Sequence, residues 1–325
     1  MNKYTVKGSE KLDAQIDVHL EHIARTVAPH CDAIILMGGY GRGEGTPLIH
    51  PDGSQSPFND YDLVVIVDTV NSAVKLHFQT LEQQLSADLG LAVDLCPYAK
   101  PELPTREFSL LNYEMKYGHM VIAGEENILD ALPAYRHGAI PLSEGARLLL
   151  NRGKLLLDVK RRLSSSTALT GAERTELIKF IHKALLAFGD AALLAAGQYD
   201  ISYSVKKDRI PDIGSCPERE FVIEGYQKAV ELKEWGDFHA LESFDIAAEL
   251  KQVTEVFLHF LPWYRSQYTT RECSPLKAVA LNLKWNKRFN MQHPRIRLYD
   301  TIVDLLQDQS AMSHERFYEL QRRFS

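Results

Sequence analysis

A glycine-rich segment between two apolar runs constrains the fold of this chain more than any other feature. The first apolar run, residues 33–37, ends at five glycines within residues 38–45. The second apolar run, residues 63–67, follows directly after Asp60 and Asp62. Short apolar runs that are bounded by glycine are typical of buried strands. The segment therefore predicts a strand, a glycine turn, and a second strand that begins with two carboxylates.

The composition indicates a globular protein of two ordinary domains. The chain has 325 residues, of which 45% are hydrophobic and 25% charged, as is typical of globular proteins. Its net charge of -6 argues against a broad nucleic-acid surface, because such surfaces need clustered Lys and Arg. The four cysteines are dispersed, and neither a signal-peptide core nor a run of about 18 apolar residues occurs. We therefore expect a cytoplasmic protein with no membrane partner.

The spacing of apolar residues changes near residue 140. Before that point the apolar runs predict three strands, over residues 33–37, 60–67 and 91–96. After about residue 143, nearly every periodic segment has the spacing of an amphipathic helix. Strands followed by a run of helices are typical of an α+β fold. We therefore expect a mixed-sheet domain over residues 1–140 and an α-helical bundle domain over residues 141–325.

Two helices and one loop connect the predicted strands. Residues 10–27 place apolar side chains at steps of three and four, which predicts a helix with Ser9 as its N-cap. A second helix is expected to start at Asn71 or Ser72. Residues 46–58 contain three prolines, one glycine and two serines. That composition predicts an irregular surface loop.

Three aspartates are candidate metal ligands. Because side chains alternate between the faces of a strand, Asp60 and Asp62 are expected on one face and Tyr61 on the other. Asp94 lies in an otherwise apolar strand, where an ionised carboxylate is costly unless it is paired or bound to a metal. If the two strands are neighbours, the three carboxylates converge. Such a cluster suits two Mg²⁺ ions about 3.5–4 Å apart, with Mn²⁺ as the alternative ion.

The glycine turn has the composition of a phosphate-binding segment. Glycine lets backbone N–H groups approach a phosphate closely, and the Arg42 guanidinium offers donors that suit phosphate oxygens. The turn is not a Walker A loop, because no Gly-Lys-Ser/Thr follows, and it does not match GxGxxG. We expect Gly38, Gly39, Tyr40 and Arg42 to contact a bound nucleotide.

The order of these motifs resembles the nucleotidyltransferase core of the DNA polymerase β superfamily. That core has an apolar strand, then Gly-Gly or Gly-Ser, then Asp-x-Asp, and a lone Asp on a later strand. The matching residues here are Gly38-Gly39, Asp60-Tyr61-Asp62 and Asp94. The turn itself is most similar to that of the bacterial PII-uridylyltransferase enzymes. The resemblance covers about residues 33–96 and does not identify the acceptor.

The resemblance implies an enzyme that transfers a nucleoside monophosphate and releases pyrophosphate. Gly38 and Gly39 would hold the triphosphate of ATP or another nucleotide. Asp60 and Asp62 would bind both Mg²⁺ ions. Asp94 would bind the catalytic ion and help to deprotonate the acceptor hydroxyl.

In related enzymes a helical second domain closes the nucleotide cleft. A lysine on a helix and a Ser/Tyr pair further along the chain contact the triphosphate there. Lys183 and the pair Ser202 and Tyr203 match these positions here, with Lys206 and Lys207 close by in sequence. By this resemblance, Lys183, Ser202 and Tyr203 would bind the nucleotide.

The sequence leaves several alternatives open. The gap between Gly39 and Asp60 is longer than is usual in the superfamily, so residues 46–58 are either a surface insertion or a cover over the acceptor site. AMP is the expected transferred group, and the acceptor is a protein side chain, a small molecule such as an aminoglycoside, or an RNA end. The acidic charge balance disfavours RNA. A non-catalytic nucleotide-binding module, either regulatory or of the toxin–antitoxin type, is the alternative function.

Overall fold

The computed structural model describes residues 2–165, 167–238, 241, 243–268, 274–286, 289–310 and 312–324. The chain divides into two compact units. Unit 1 consists of Met1–Ile140, Asp200–Lys206 and Val230–Ser243, and unit 2 consists of Pro141–Tyr199, Lys207–Ala229 and Phe244–Ser325. Two segments from beyond residue 140 thus belong to unit 1. The predicted division into domains at residue 140 stays a prediction.

The first 140 residues alternate between helices and strands. Their elements are, in chain order, α1 (Glu10–Val27), β1 (Ala33–Leu36), α2 (Gly38–Gly41), β2 (Pro47–Ile49), β3 (Gln55–Pro57), β4 (Asp60–Val67), α3 (Ser72–Leu89), β5 (Ala92–Ala99), α4 (Leu110–Tyr117) and β6 (Met120–Gly124). The three predicted strands and the two predicted helices are all present. Ser9 caps α1 and Asn71 caps α3, because each side-chain oxygen accepts a hydrogen bond from a backbone N–H of the first turn.

The main sheet has four strands in the order β5-β4-β1-β6. Strand β1 pairs antiparallel with both β4 and β6, whereas β4 and β5 are parallel. The sheet is therefore mixed, and the predicted α+β class is confirmed. In the parallel pair, Asp62 stands opposite Asp94.

One face of this sheet packs against α1 and α3. The apolar side chains of α1 are fully or almost fully buried and join one core with Tyr61, Leu63, Val65 and Val93. Burying a large aliphatic side chain stabilises the fold by about 1.5–3 kcal/mol. The odd-numbered positions of β4 and β5 are therefore fixed to the helix-covered face. The even-numbered positions, which include Asp60, Asp62 and Asp94, belong to the opposite face.

The prediction of an irregular loop over residues 46–58 is wrong in part, because β2 and β3 form an antiparallel hairpin there. Its turn is closed by the N–H of His50, which donates to the carbonyl of Ser54 at 2.9 Å, and by the Asp52 carboxylate, which accepts from the N–H of Ser54. Pro47 and Pro57 face each other at the open end of the hairpin. Proline is tolerated at such strand ends, so the proline content concealed the hairpin.

The regular elements in the described part of unit 2 are all helical. The helices of the second half of the chain are α5 (Leu142–Leu163), α6 (Gly171–Ala195), α7 (Tyr203–Arg209), α8 (Arg219–Trp235), α9 (Ile246–Ser266), α10 (Pro275–Asn286), α11 (Pro294–Leu306) and α12 (His314–Phe324). Aromatic side chains fill the core between α6 and α9, where the rings of Phe188 and Phe260 lie 5.1 Å apart. The helical character that the sequence predicts beyond residue 143 is confirmed.

Candidate metal centre

Three carboxylates converge on one face of the sheet. Asp60 and Asp62 share a face of β4, and Tyr61 between them is completely buried on the other face, as the alternation predicts. The parallel register brings Asp94 of β5 beside Asp62. One carboxylate oxygen from each aspartate lies within 4.8 Å of the others. These side chains could hold a divalent cation.

The environment of Asp94 differs from the sequence-based expectation of a buried carboxylate. Asp60 is half-buried, and Asp62 and Asp94 are exposed. Strand β5 alternates between exposed and buried residues over its first half, and Asp94 lies on the exposed side. The cost of burying a charge therefore does not constrain this residue. Repulsion between the carboxylates acts on Asp94 instead, because two like charges 4.8 Å apart repel by about 1 kcal/mol even in water.

The glycine turn lies directly against this cluster. Gly38 has a φ of +64°, and a Cβ atom at this position would lie 2.6 Å from Oδ2 of Asp62. The backbone N–H of Met37 also donates to the carbonyl of Asp62 at 2.8 Å. A residue with a side chain would therefore be strained at position 38 and would displace the carboxylate. Glycine at this position keeps the turn and Asp62 in contact.

The turn is a single helical turn, α2, rather than an open loop. Its hydrogen bonds run from the N–H of Gly41 to the carbonyl of Met37 and from the N–H of Arg42 to the carbonyl of Gly39. The N–H of Glu44 donates to the same Gly39 carbonyl at 2.8 Å. These bonds hold the backbone that follows β1 in a fixed position next to the carboxylates.

Arg42, which follows α2, is held between two carboxylates. Its Nε lies 3.7 Å from Oε2 of Glu44, and its Nη1 lies 3.5 Å from Oε2 of Glu114. The side chain of Arg42 is only 6% exposed. A buried guanidinium needs such partners, since an uncompensated buried charge is strongly destabilising. The predicted contact between Arg42 and a nucleotide stays a prediction.

Glu44 connects the glycine turn to Ser202 and Tyr203. Its carboxylate accepts a hydrogen bond from the Ser202 hydroxyl at 2.7 Å and from the Tyr203 backbone N–H at 3.0 Å. The structure therefore brings this predicted Ser/Tyr pair to the same region as the predicted turn residues. From the sequence Glu44 has the pattern of a solvated or capping residue, because an acidic residue after a glycine turn carries no signal of a long-range contact.

Three cationic side chains surround the ring of Tyr203. The ring centroid lies 4.2 Å from Nζ of Lys206, 5.1 Å from Nζ of Lys233 and 5.7 Å from Cζ of Arg42. Cations at such distances are attracted to the face of an aromatic ring. Lys206 is almost completely buried. The cluster places three cationic groups beside the turn, together with the Glu44 and Glu114 carboxylates that flank Arg42.

Lys233, at the end of α8, contacts the glycine turn itself. A Cβ atom at Gly39 would lie 2.9 Å from Nζ of Lys233 and 2.8 Å from the carbonyl oxygen of Glu44. The ammonium group also donates to the Thr46 hydroxyl at 3.4 Å. Sequence reasoning missed Lys233, because a lysine near the end of a charged helix has the pattern of a solvated residue.

The remaining predicted site residues have other surroundings. The side chain of Tyr40 is buried, and its hydroxyl lies 2.8 Å from the Thr46 carbonyl oxygen and accepts from the Phe58 N–H at 2.7 Å. This burial raises the pKa of Tyr40. Tyr40 therefore fastens both ends of the hairpin segment to the turn. Lys183 lies on α6 in unit 2, and its contact with a nucleotide stays a prediction.

No family model matches this sequence, and no curated protein matches it. Among the residues that the structure describes, no helix has both the length and the apolar character needed to span a bilayer.

Proposed function

We propose that this protein is a Mg²⁺-dependent nucleotidyltransferase. In this proposal it transfers a nucleoside monophosphate, AMP from ATP in the first instance, to a hydroxyl group of a small-molecule or protein acceptor and releases pyrophosphate. One observation carries the proposal. Three carboxylates from adjacent parallel strands place their oxygens within 4.8 Å of one another, and the glycine turn packs against the central one, Asp62. The order of the same motifs in the sequence supports it.

The donor set suits magnesium. All three candidate ligands are carboxylates, and Mg²⁺ prefers oxygen ligands from one or two carboxylates together with substrate phosphates. Two of the three side chains are exposed, which leaves room for those phosphates. When bound, the metal would neutralise charge on the phosphates and orient them for in-line attack.

The side chains of this chain have separate roles in the proposal. Asp60 and Asp62 would hold the cation, and Asp94 would complete its ligand set. Lys206 and Lys233 place positive charge beside the turn, where charge-assisted contacts would hold the triphosphate. Asp94 also lines an adjoining cleft, so its carboxylate accepts the proton of a hydroxyl group that enters from there. The new bond joins that hydroxyl oxygen to the α-phosphorus, and the bond from the α-phosphorus to pyrophosphate breaks.

Metal-dependent release of pyrophosphate tests the proposal. The purified protein is incubated with each of the four nucleoside triphosphates, labelled at the α-phosphate, and with Mg²⁺. The acceptors offered are glycerol, glycerol 3-phosphate, kanamycin and the protein itself. We expect labelled product and pyrophosphate from at least one combination, loss of both in excess EDTA, and recovery with Mg²⁺ or Mn²⁺. Nucleotide binding without transfer under all these conditions would instead favour a regulatory module.

Replacement of Lys233 should weaken triphosphate binding. We expect Lys233→Met to lower the affinity for a nonhydrolysable ATP analogue about tenfold, because a charge-assisted contact with phosphate contributes about 1.5 kcal/mol. Lys228→Met is the matched control, since Lys228 lies on the same helix and its side chain is 73% exposed. Titration of tryptophan fluorescence measures both affinities. Equal affinities of the two variants would remove Lys233 from the proposed triphosphate site.

A further inference from the structure

An open cleft adjoins the carboxylate cluster on its Asp94 side. Its volume is about 690 Å³, which lies within the range of pockets that bind small molecules. Strand β5 forms the edge of the sheet and contributes Asp94 and Cys96 to the lining. The cleft is therefore placed to present a second substrate to the cluster.

The other two carboxylates of the cleft already have hydrogen-bond donors. Oε1 of Glu82 accepts from the backbone N–H of Leu95 at 2.7 Å. Oε2 of Glu102 accepts from Nη2 of Arg106 at 3.1 Å. A cationic ligand would have to compete with these donors for the carboxylates of Glu82 and Glu102.

Arg106 and Lys75 are the cationic groups of the cleft, and Arg106 retains a buried donor without an acceptor. The Arg106 guanidinium stacks 3.9 Å from the ring centroid of Tyr98, and its Nε is buried with no hydrogen-bond partner among the described residues. The Lys75 ammonium is exposed and makes no ion pair or side-chain hydrogen bond with the part of the chain that the structure describes. A buried donor without an acceptor is costly. A ligand that supplies anionic oxygens would remove this cost at Arg106 and would pair with the Lys75 ammonium.

We propose that this cleft binds the acceptor and that the acceptor is a small hydroxyl compound carrying a carboxylate or phosphate group. Arg106 and Lys75 bind the anionic group, and the hydroxyl group faces Asp94. The inference rests on the proposed function, and it narrows the acceptor class. In the transfer step, the acceptor oxygen bonds to the α-phosphorus, its proton passes to Asp94, and pyrophosphate leaves with the electron pair of the broken bond. A polycationic aminoglycoside does not satisfy the free donors.

The alkylation rate of the Cys96 thiol measures the charge of the cleft, and this measurement does not depend on enzyme activity. Its thiol lines the cleft and lies in the electrostatic field of the cations Lys75 and Arg106 and of the carboxylates Glu82 and Asp94. Alkylation of Cys96 by iodoacetate, which carries a carboxylate, is compared with alkylation by neutral iodoacetamide in the presence of Mg²⁺. Because both reagents need the same thiolate, the ratio of their rates cancels its ionised fraction. Peptide mass spectrometry measures the rates at this cysteine alone.

We expect the iodoacetate-to-iodoacetamide ratio to fall about fivefold in Lys75→Gln, because one cation about 4 Å away in water changes a rate by about that factor. The double variant with Arg106→Gln should lower it further. Lys100→Gln, which changes an exposed lysine outside the cleft lining, should leave the ratio unchanged. Equal ratios in wild type, Lys75→Gln and the double variant would overturn the inference.

Ligand protection separates the possible acceptors. We expect glycerol 3-phosphate, glycerate or both to slow the reaction of Cys96 with iodoacetamide, whereas glycerol and spermidine should not. The anion that protects more strongly shows whether the acceptor carries a phosphate or a carboxylate group. Protection by spermidine, or by an RNA oligonucleotide but neither small anion, would contradict the inference. Nucleotide transfer to a neutral or cationic acceptor would refute this inference and leave the proposed function intact. Protection by anions without any nucleotide transfer would refute the proposed function, and with it the acceptor role, and would leave only an anion-binding cleft.

Discussion

Asp62→Asn is expected to lower the rate of nucleotide transfer by about a thousandfold or more. Asp62 is the central member of the cluster, since it shares a face of β4 with Asp60, stands opposite Asp94 and contacts the Gly38 turn. The amide keeps the size of the side chain but removes its negative charge. Bound metal ions contribute several kcal/mol to such reactions, and about 1.4 kcal/mol corresponds to a tenfold change in rate. Pyrophosphate release with saturating nucleotide measures the effect.

Asp68→Asn is the matched control for this substitution. Asp68 follows β4 directly, is exposed, and is not part of the carboxylate cluster. Asp68→Asn should keep the stability of the wild type within about 0.5 kcal/mol, whereas Asp62→Asn should be at least as stable as the wild type without metal, because it removes like-charge repulsion from the cluster. Titration with Mn²⁺, followed by electron paramagnetic resonance, should show weaker binding in Asp62→Asn alone. Unchanged turnover in Asp62→Asn would remove the proposed phosphoryl chemistry from these residues.

The sheet and two of the three candidate ligands could be predicted because they depend on local patterns. The apolar runs identify β1, β4 and β5, and alternation along a strand fixes which face each side chain occupies. Asp60 and Asp62 therefore fall on one face whatever surrounds the strand. Asp94 was placed correctly in a strand, but its exposure was predicted wrongly. A run of apolar residues does not indicate which of its faces the rest of the chain covers.

The cationic side of the candidate site could not be predicted in the same way. Ser202, Tyr203 and Lys233 reach the glycine turn from segments more than 150 residues later in the chain. Such contacts depend on how separate elements pack, and neither periodicity nor spacing records that packing. The resemblance identified the Ser/Tyr pair, whereas Lys233 followed only from the coordinates. The hairpin β2–β3 was missed for a local reason, because its prolines have the signature of a loop.

Gly38→Ala should weaken metal binding at the proposed site while the fold is retained, and Gly90→Ala separates the loss of metal binding from the backbone strain. Gly38 and Gly90 have nearly the same φ, +64° and +62°. In this left-handed region an alanine costs about 1–2 kcal/mol. No atom lies within 4 Å of a Cβ at Gly90, whereas a Cβ at Gly38 lies 2.6 Å from Oδ2 of Asp62. The variants thus share the backbone strain and differ only in the contact with the carboxylate.

The Asp62 carboxylate can rotate away from the new methyl group at small cost, but it then leaves its place beside Asp94. We therefore expect both variants to lose about 1–2 kcal/mol of unfolding free energy in urea. Only Gly38→Ala should also weaken Mn²⁺ binding, by about 10- to 100-fold, as is typical when a residue that positions a metal ligand is changed. Equal Mn²⁺ affinity in the two variants would mean that contact with the turn does not position Asp62. The glycine at position 38 would then serve the backbone of the turn alone, and the link between the turn and the metal centre would be lost.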